Sequence, residues 1–286
     1  MNVVSTAKLP VCFLFDNGSL RPAATLSLRK TAFELSGVLG TEVRAASLLH
    51  SSGIDPAKLG GQPAQLLEPA LNAFLEDNPS ADVVLVPLFF GPSGALTDYM
   101  PERVTSLAKK FPQARLRLAR WLVDMDESDT RIAQAVGEAV LQVIAEKNLL
   151  WPKVVLVDHG SPQLAVTAVR DFLGAQVQAL LGNKVEEVAV ASMEKRSSPE
   201  YAFNDPLLAK RLRTPPFDRG DVVVALQFLS PGRHAGPNGD IATICSSACS
   251  EQPLLRTHLT GTIANDPRVI AVVTDRFREA LKTEPV

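Results

Sequence analysis

An internal duplication constrains this chain more than any other feature of its sequence. The segments VCFLFDNGSL (11–20) and VVLVDHGSPQ (154–163) are both apolar runs that end in Asp, one polar residue and Gly-Ser. Three more pairs of matching segments follow in the same order, and the separations within the four pairs all lie between 137 and 144 positions. Landmarks repeated in this way indicate two copies of one structural unit. We therefore predict one repeat at 8–148 and a second at 151–286, joined near NLLWPK.

Each half has the pattern of a small α/β unit. The continuous apolar runs VCFLF and VVLV are typical of strands that are buried on both faces. Gly-Ser turns follow them, and then stretches such as QLAVTAVRDFLGAQVQALLG, which have apolar residues at helical spacing and end in Gly. Strands that alternate with helices predict a parallel sheet with helices on both faces. Two such Rossmann-like domains would leave a cleft at the carboxyl ends of their strands, where this architecture places ligands.

The composition argues against several classes of function. Hydrophobic residues make up 46% of the 286 positions, which predicts a sizeable core. The formal net charge of −2 and the lack of a basic stripe argue against a nucleic-acid partner. No apolar run reaches the roughly 18 residues that span a bilayer, and the first ten residues do not resemble a signal peptide. Three cysteines are too few for a disulfide framework, so we expect a cytoplasmic protein without a membrane partner.

Two of the four histidines occupy positions that suit chemistry. His159 and His234 each come directly after a strand-like run, in the Gly-containing turns DHGS and SPGRH. The carboxyl ends of parallel strands lie at one edge of a sheet, so both imidazoles can reach a ligand bound there. Neutral imidazole binds Fe²⁺, Co²⁺, Ni²⁺ and Zn²⁺ and accepts a proton near neutral pH. A lone histidine is usually structural or exposed, and it is the pairing that favours a metal or substrate site.

The ordered set of motifs in the second half resembles a known family. VVLVDHGSP, VAVASMEKRSSP, DVVVALQFLSPGRH and LTGTIANDPRVIAVVTDRFREAL look like the motifs of the class II tetrapyrrole chelatases. These are the sirohydrochlorin cobaltochelatases and ferrochelatases of cobalamin and sirohaem biosynthesis. Their pattern has His-Gly-Ser after the first strand, an acidic residue before a proline, a Gly-x-His turn and a terminal helix. The resemblance covers nearly all of 151–286 and, more weakly, 8–148, and implies two chelatase-like domains.

Site residues follow from this resemblance position by position. It implies that His159 and His234 bind the metal ion and accept protons, and that Glu194 is the acidic residue of the catalytic group. Candidate substrate-binding residues are Asn17, Ser161, Arg233 and Asp240. Members of the family insert Co²⁺, Fe²⁺ or Ni²⁺ into a macrocycle without ATP. The metal is then a substrate, no cofactor is permanently bound, and the partners are a tetrapyrrole and a metal ion, with the protein a monomer or homodimer.

The first half departs from the family pattern. It carries Asn17 and Ala95 at the two positions where the pattern has histidine. Asn is a poor ligand for borderline metals and Ala is none, so we expect this half to form a wall of the cleft while the second half keeps the chemistry. His50 aligns with Glu194. It is either a surface histidine that starts the turn HSSGIDP or an additional ligand or proton acceptor.

The second half departs from the pattern in one strand and one loop. Gln227 stands where the family usually has a proline, and the Gly-rich AGPNGD follows His234 in place of a short acidic helix start. Asp240 then matches the family's acidic residue displaced by this insertion. Arg233 is either an ordinary solvated turn residue or the partner of a tetrapyrrole carboxylate, for which a planar guanidinium is suited.

The remaining motifs favour simpler interpretations. Cys245 and Cys249 share one helix face, but an iron–sulphur cluster usually needs four thiolates, and Cys12 lies in a strand-like run. Buried small apolar side chains are therefore the better interpretation of both cysteines. The loops FFGPSG and LSPGRHAGPNG lack the spacing of phosphate-binding motifs, and Ser161 lacks the G-x-S-x-G elbow of serine hydrolases.

Two alternatives to an enzyme stay open on the sequence alone. The loss of histidines from one half and the altered loop after His234 are compatible with a protein that binds a tetrapyrrole or a metal without turnover. A metal-delivery protein with no tetrapyrrole partner is the other. Imidazole and carboxylate ligands suit several divalent ions, so the sequence does not select the metal.

Overall fold

The structure is a computed structural model that describes residues 9–126 and 128–286. Its described strands form two four-stranded parallel sheets, in the orders β2-β1-β3-β4 and β6-β5-β7-β8. The first sheet and the helices that accompany it in the chain are β1 (Val11–Asp16), α1 (Pro22–Leu39), β2 (Val43–Ser47), α2 (Leu67–Asp77), β3 (Asp82–Pro87), α3 (Met100–Lys110), β4 (Arg115–Leu118) and α4 (Arg131–Lys147). This arrangement confirms the predicted α/β class.

The second sheet repeats the order of the first. Its elements are β5 (Lys153–Asp158), α5 (Leu164–Leu181), β6 (Val188–Ser192), the short α6 (Leu208–Arg211), β7 (Gly220–Leu226), α7 (Asp240–Glu251), β8 (Leu255–Leu259) and α8 (Pro267–Ala280). The register repeats as well, because Asp16 pairs with Ser47 in the first sheet and Asp158 pairs with Ser192 in the second.

The central strands are apolar throughout because both faces of each sheet are covered. Along β5, Val154 and Leu156 face an apolar core that both lobes share, while Val155 and Val157 face a cluster confined to the second lobe. All four side chains are fully buried. Successive residues of a strand point to opposite faces, so a continuous apolar run is what a doubly covered strand requires.

The last helix of each half packs against the sheet of the other half. Helix α4 contacts β7 and α5, and α8 contacts β3 and α1, so the four helices α1, α8, α4 and α5 form one layer between the sheets. Arg131 in α4 and Asp275 in α8 join the two helices through an ion pair of 2.7 Å. The repeats at 8–148 and 151–286 stay a prediction, and residue 8 lies outside the described residues. In the packed structure, the last helix of each half lies against the sheet of the other half.

One long helix also passes the length and hydropathy test for a membrane span. It runs over Leu164–Lys184, with a mean hydropathy of 1.2 and 39% of the window buried. This helix is not a continuous apolar run, since Arg170 and Asp171 lie within it. Val169, Leu173 and Val177 of this helix are buried in the shared core, as in the core helix of a globular protein.

The turn after the first strand of each sheet contains a glycine that its backbone requires. Gly18 and Gly160 both have φ +92°, a conformation that side chains rarely adopt. A Cβ at Gly18 would overlap the carbonyl oxygen of Leu49, and one at Gly160 would overlap that of Glu194. The loop after the second strand of each sheet thus passes directly against the turn after the first, and only glycine leaves room for it.

We predict that Gly18→Ala destabilises the protein more than Gly40→Ala does. Gly40 also has positive φ, +67°, but a Cβ there would meet nothing within 4 Å. Gly40→Ala therefore carries only the backbone strain of about 1–2 kcal/mol, while Gly18→Ala adds the clash with Leu49. Urea unfolding of the two variants measures the difference. Equal losses in the free energy of unfolding would contradict this account of the turn.

Candidate functional site

The carboxyl ends of both sheets open into one cavity between the lobes. Its volume is about 920 Å³, within the range of small-molecule sites. The turns after β1 and β3 line it from the first lobe, and those after β5 and β7 line it from the second. Both lobes therefore contribute a wall, as the duplicated architecture predicts.

His159 and His234 meet at this cavity. Their ring centroids lie 4.7 Å apart, with the ring planes at 68°, and both residues line the cavity. They are 75 positions apart in the chain and meet because β5 and β7 are neighbours in parallel register. The structure thus brings together the two imidazoles that the sequence singles out.

Each imidazole has a hydrogen-bond acceptor beside its Nδ1, which favours the tautomer with the lone pair on Nε2. His234 Nδ1 lies 2.6 Å from Asp240 Oδ2, and His159 Nδ1 lies 3.0 Å from the Gly160 carbonyl oxygen. A carboxylate and a carbonyl only accept hydrogen bonds, so both contacts place the proton on Nδ1. Such second partners fix the tautomer of a histidine and make its free nitrogen the better ligand.

Two carboxylates flank the imidazoles. Glu194 Oε1 lies 3.5 Å from His159 Nε2, at a side chain that is 62% exposed. Asp240 Oδ2 also lies 3.5 Å from Arg233 Nε, whose side chain is 75% exposed. Arg233 and Asp240 line the cavity, so the exposed guanidinium can reach an anionic group there as well as Asp240.

Across the described residues, no cluster of three or more His, Cys, Asp or Glu side chains has the geometry of a metal site. The site instead consists of two imidazoles with a carboxylate beside each. Its nitrogen and oxygen donors suit borderline divalent ions.

A buried polar network holds the turn that carries His159. Asn204, fully buried, accepts from the Ser161 N–H at 2.9 Å and donates to the Ser161 carbonyl at 2.9 Å. It also accepts from the Thr167 hydroxyl at 3.1 Å. Arg170, also fully buried, donates to the Asn204 carbonyl at 3.1 Å and to Ser192 Oγ at 2.6 Å. A network with its members satisfied in this way makes the turn rigid.

Ser161 belongs to this turn and not to the cavity wall. Its Oγ accepts the Gln163 N–H at 3.0 Å, and the residue does not line the cavity. The structure therefore does not bring the sequence-predicted Ser161 to the substrate side. Gln227, the residue that replaces the family's proline, does line the cavity, and its buried Oε1 has no hydrogen-bond partner among the described residues.

The first lobe presents a different wall. Asn17 is exposed in the cavity, and Phe89 and Phe90 line it where the second lobe has Phe228 and Leu229. Ala95 lies beyond this loop, at the start of a helical turn, and does not line the cavity. This wall therefore has no imidazole at the two equivalent positions, and it combines apolar surface with the polar and charged side chains of Asp16, Asn17, Arg21 and His50.

The alignment of His50 with Glu194 is wrong by one residue. The Leu49 N–H donates to the Asn17 carbonyl, and the Glu194 N–H donates to the His159 carbonyl, both at 3.1 Å. Leu49 is therefore the structural counterpart of Glu194. His50 follows it with φ +65° and lines the cavity as an exposed side chain.

Sequence reasoning missed the aspartate that ends the first strand of each sheet. Asp16 and Asp158 both line the cavity, and the Oδ1 atom of each is buried without a hydrogen-bond partner. Burial raises the pKa of both carboxyls, that of Asp16 to about 6. The available signal was that Asp, unlike His, is kept in both copies of the repeated phrase.

The cysteines stay apart from the site. Burial raises the pKa of the Cys245 thiol to about 12, and Cys249 Sγ lies 3.4 Å from Thr257 Oγ1. Cys12 is fully buried in β1. All three are free thiols.

Comparison with known proteins supports the architecture. No protein-family model and no curated protein sequence matches this chain. Among solved structures, SirB from Bacillus subtilis with Fe³⁺ matches with a TM-score of 0.66 at 16% identity over 96% of each chain. The sirohydrochlorin chelatase SirB from Bacillus subtilis subspecies spizizenii, in complex with cobalt, matches with a TM-score of 0.63 at 16% identity over 95% of each chain.

A third solved structure agrees. CbiX, the terminal enzyme for biosynthesis of sirohaem in denitrifying bacteria, matches with a TM-score of 0.58 at 16% identity, over 96% of this chain and 100% of that chain. Similarity at this level of identity establishes architecture, and it extends over both lobes. The chain therefore has the two-lobed fold of the sirohydrochlorin chelatases.

Proposed function

We propose that this protein inserts a divalent metal ion, Co²⁺ or Fe²⁺, into sirohydrochlorin or a related tetrapyrrole without ATP. The observation that carries the proposal is the pair of imidazoles, His159 and His234, whose rings lie 4.7 Å apart at an interlobe cavity. Both Nε2 atoms keep a lone pair for a metal ion. The fold shared with sirohydrochlorin chelatases supports the same reaction class.

The spacing of His159 and Glu194 suits two ligands of one ion. If Nε2 and Oε1, 3.5 Å apart, each bound a metal at about 2.1 Å, the angle at the metal would be about 110°. We propose that His159 and His234 receive the ion and that Glu194 assists. Two imidazoles leave coordination positions for the nitrogens of the macrocycle, which is what an ion in transfer requires.

Charge balance defines the rest of the reaction. Two pyrrole N–H protons leave as a dication enters, so the centre of the macrocycle stays neutral. A histidine that passes on its metal regains a free lone pair and accepts one of these protons. Asp240, at 2.6 Å from His234 Nδ1, stabilises the imidazolium that forms.

Substrate contacts come from both lobes in this proposal. Arg233 meets a carboxylate of the acidic macrocycle, and Asn17 hydrogen-bonds it from the opposite wall. Phe89 and Phe90 supply apolar surface for the ring. We infer a cytoplasmic enzyme of the cobalamin or sirohaem route that acts on a small tetrapyrrole as a monomer or homodimer.

Binding without turnover is the second candidate. It is favoured by the one-sided distribution of the imidazoles, since the first lobe has Asn17 and Ala95 at the equivalent positions. A protein of that kind would bind sirohydrochlorin saturably and leave its metal content unchanged.

We predict that the protein accelerates metal insertion and that His159→Ala and His234→Ala each lower the rate at least about 100-fold. The reason is the loss of a metal ligand that also accepts a proton. The measurement is the change in visible absorption of sirohydrochlorin with Co²⁺, Fe²⁺, Ni²⁺ or Zn²⁺, with the metal alone as the blank.

His258→Ala is the matched control for this assay. His258 Nε2 is hydrogen-bonded to Asp221 Oδ1 at 2.9 Å, and His258 does not line the cavity. Its variant should therefore insert metal at the wild-type rate. Wild-type rates in both cavity variants would refute the site assignment. Saturable binding with no insertion of any ion would favour the second candidate.

We also predict that Asp240→Asn weakens Co²⁺ binding to the protein about 10–100-fold. The amide is a weaker acceptor for the His234 Nδ1 proton and no longer raises the basicity of Nε2. Asp221→Asn changes the same kind of contact at His258, outside the cavity, and should leave Co²⁺ affinity unchanged. Calorimetric titration with Co²⁺ measures the affinity of both variants. Equal Co²⁺ affinities of Asp240→Asn and Asp221→Asn would exclude a role of Asp240 in metal binding.

A further inference from the structure

The two cavity aspartates have equivalent positions in the two sheets but different charged neighbours. Asp16 and Asp158 end equivalent strands, and each has a buried serine, Ser47 or Ser192, opposite it in the sheet. The serine hydroxyl donates to the carboxyl in both lobes, which partly offsets the effect of burial on its pKa.

The difference lies on the first helix of each half. The seventh residue of α5 is Arg170, and the seventh residue of α1 is Leu28, both with 1% of their surface exposed. Arg170 donates to Ser192 at 2.6 Å and acts on Asp158 through its positive charge. Leu28 is part of the shared apolar core and supplies no charge. At equivalent helix positions, one lobe therefore has a guanidinium that acts on its aspartate, and the other lobe has a leucine.

This difference affects how readily each of the two carboxyls ionises. The positive charge of Arg170 favours the ionised form of Asp158, next to His159. Asp16 has the Ser47 hydroxyl and the Gly18 backbone N–H as partners, and these offset burial only in part. Asp16 thus exchanges its proton close to neutral pH, which is the property of a general base.

The surroundings of Asp16 in the cavity place it opposite the metal side. On its own lobe, the charged and titratable side chains of the cavity wall are Arg21 and His50. Across the cleft they are Asp158, His159, Arg233, His234 and Asp240. A ring bound between the lobes would thus have the imidazole pair on one face and Asp16 on the other.

From this arrangement we propose that Asp16 accepts a pyrrole proton from the face of the macrocycle turned away from His159 and His234. The inference rests on the proposed metal insertion. In this step, a pyrrole N–H bond breaks and its electron pair stays on the nitrogen, which binds the incoming ion. The proton forms an O–H bond with the Asp16 carboxylate and later passes to solvent. The second proton leaves through a histidine on the metal side, so two protons depart for each dication that enters.

The test compares Asp16→Asn with the wild type across pH 5 to 9, with sirohydrochlorin and Co²⁺. Because Asp16 must be ionised to accept a proton and its pKa lies at about 6, wild-type kcat should rise with pH through this value. Asp16→Asn should lower kcat about 100-fold or more above pH 7 but by less near pH 5, where the Asp16 carboxyl is already protonated, and should change KM little.

Asp16→Glu guards against a variant that fails to fold. It keeps a carboxyl and should restore a rise of kcat with pH, with a kcat below that of the wild type. Thermal unfolding of both variants reports whether each is folded. Leu28→Met is the matched core control. It keeps an apolar side chain of similar volume at the helix position equivalent to Arg170, so it should keep the wild-type pH profile.

Failure of this inference and failure of the proposed function give different results. If wild-type protein inserts no metal, the proposed function and this inference both fall. If the wild type is active and Asp16→Asn keeps its kcat, or loses activity equally at every pH with the rise near pH 6 intact, only the role of Asp16 is overturned.

Discussion

The adjacency of β5 and β7 is the constraint on which the rest of the site depends. Both strands run parallel in one register, so the turns that follow them emerge side by side. The ring centroids of His159 and His234 therefore lie 4.7 Å apart. Gly160 permits the first turn because the chain after β6 passes directly against it. The sheet thus converts two distant positions of the chain into one pair of nitrogen donors.

The exchange of helices turns two sheets into one molecule. Because α4 packs on the second sheet and α8 on the first, a single apolar core runs between them. This core holds the carboxyl edges of both sheets against a common cavity. The relative position of the lobes is therefore set by buried surface and the ion pair between α4 and α8, and not by the connecting segment alone.

The duplicated halves have diverged at few but decisive positions. The glycine turn and the strand-end aspartate are kept in both. The chemistry-bearing side chains differ: histidine against Asn17 and Ala95, and Arg170 against Leu28. The backbone is thus preserved because its geometry admits no substitute, while the side chains that face the cavity or its supporting network are free to specialise.

The sequence by itself determined the class of fold and the identity of the imidazole pair. Continuous apolar runs rich in β-branched residues are typical of doubly covered strands, and turns that directly follow such strands lie at one sheet edge. It did not reveal that α4 and α8 change lobes, that Leu49 and not His50 corresponds to Glu194, that Ser161 serves its own turn, or that Asp16 and Asp158 line the cavity. Apart from the local contact of Ser161 with Gln163, each of these depends on contacts between segments far apart in the chain, and periodicity and spacing report only local conformation. Burial and charge at a given atom are properties of the packed structure, so only the tertiary structure decided which of the two carboxyls is acted on by a buried arginine.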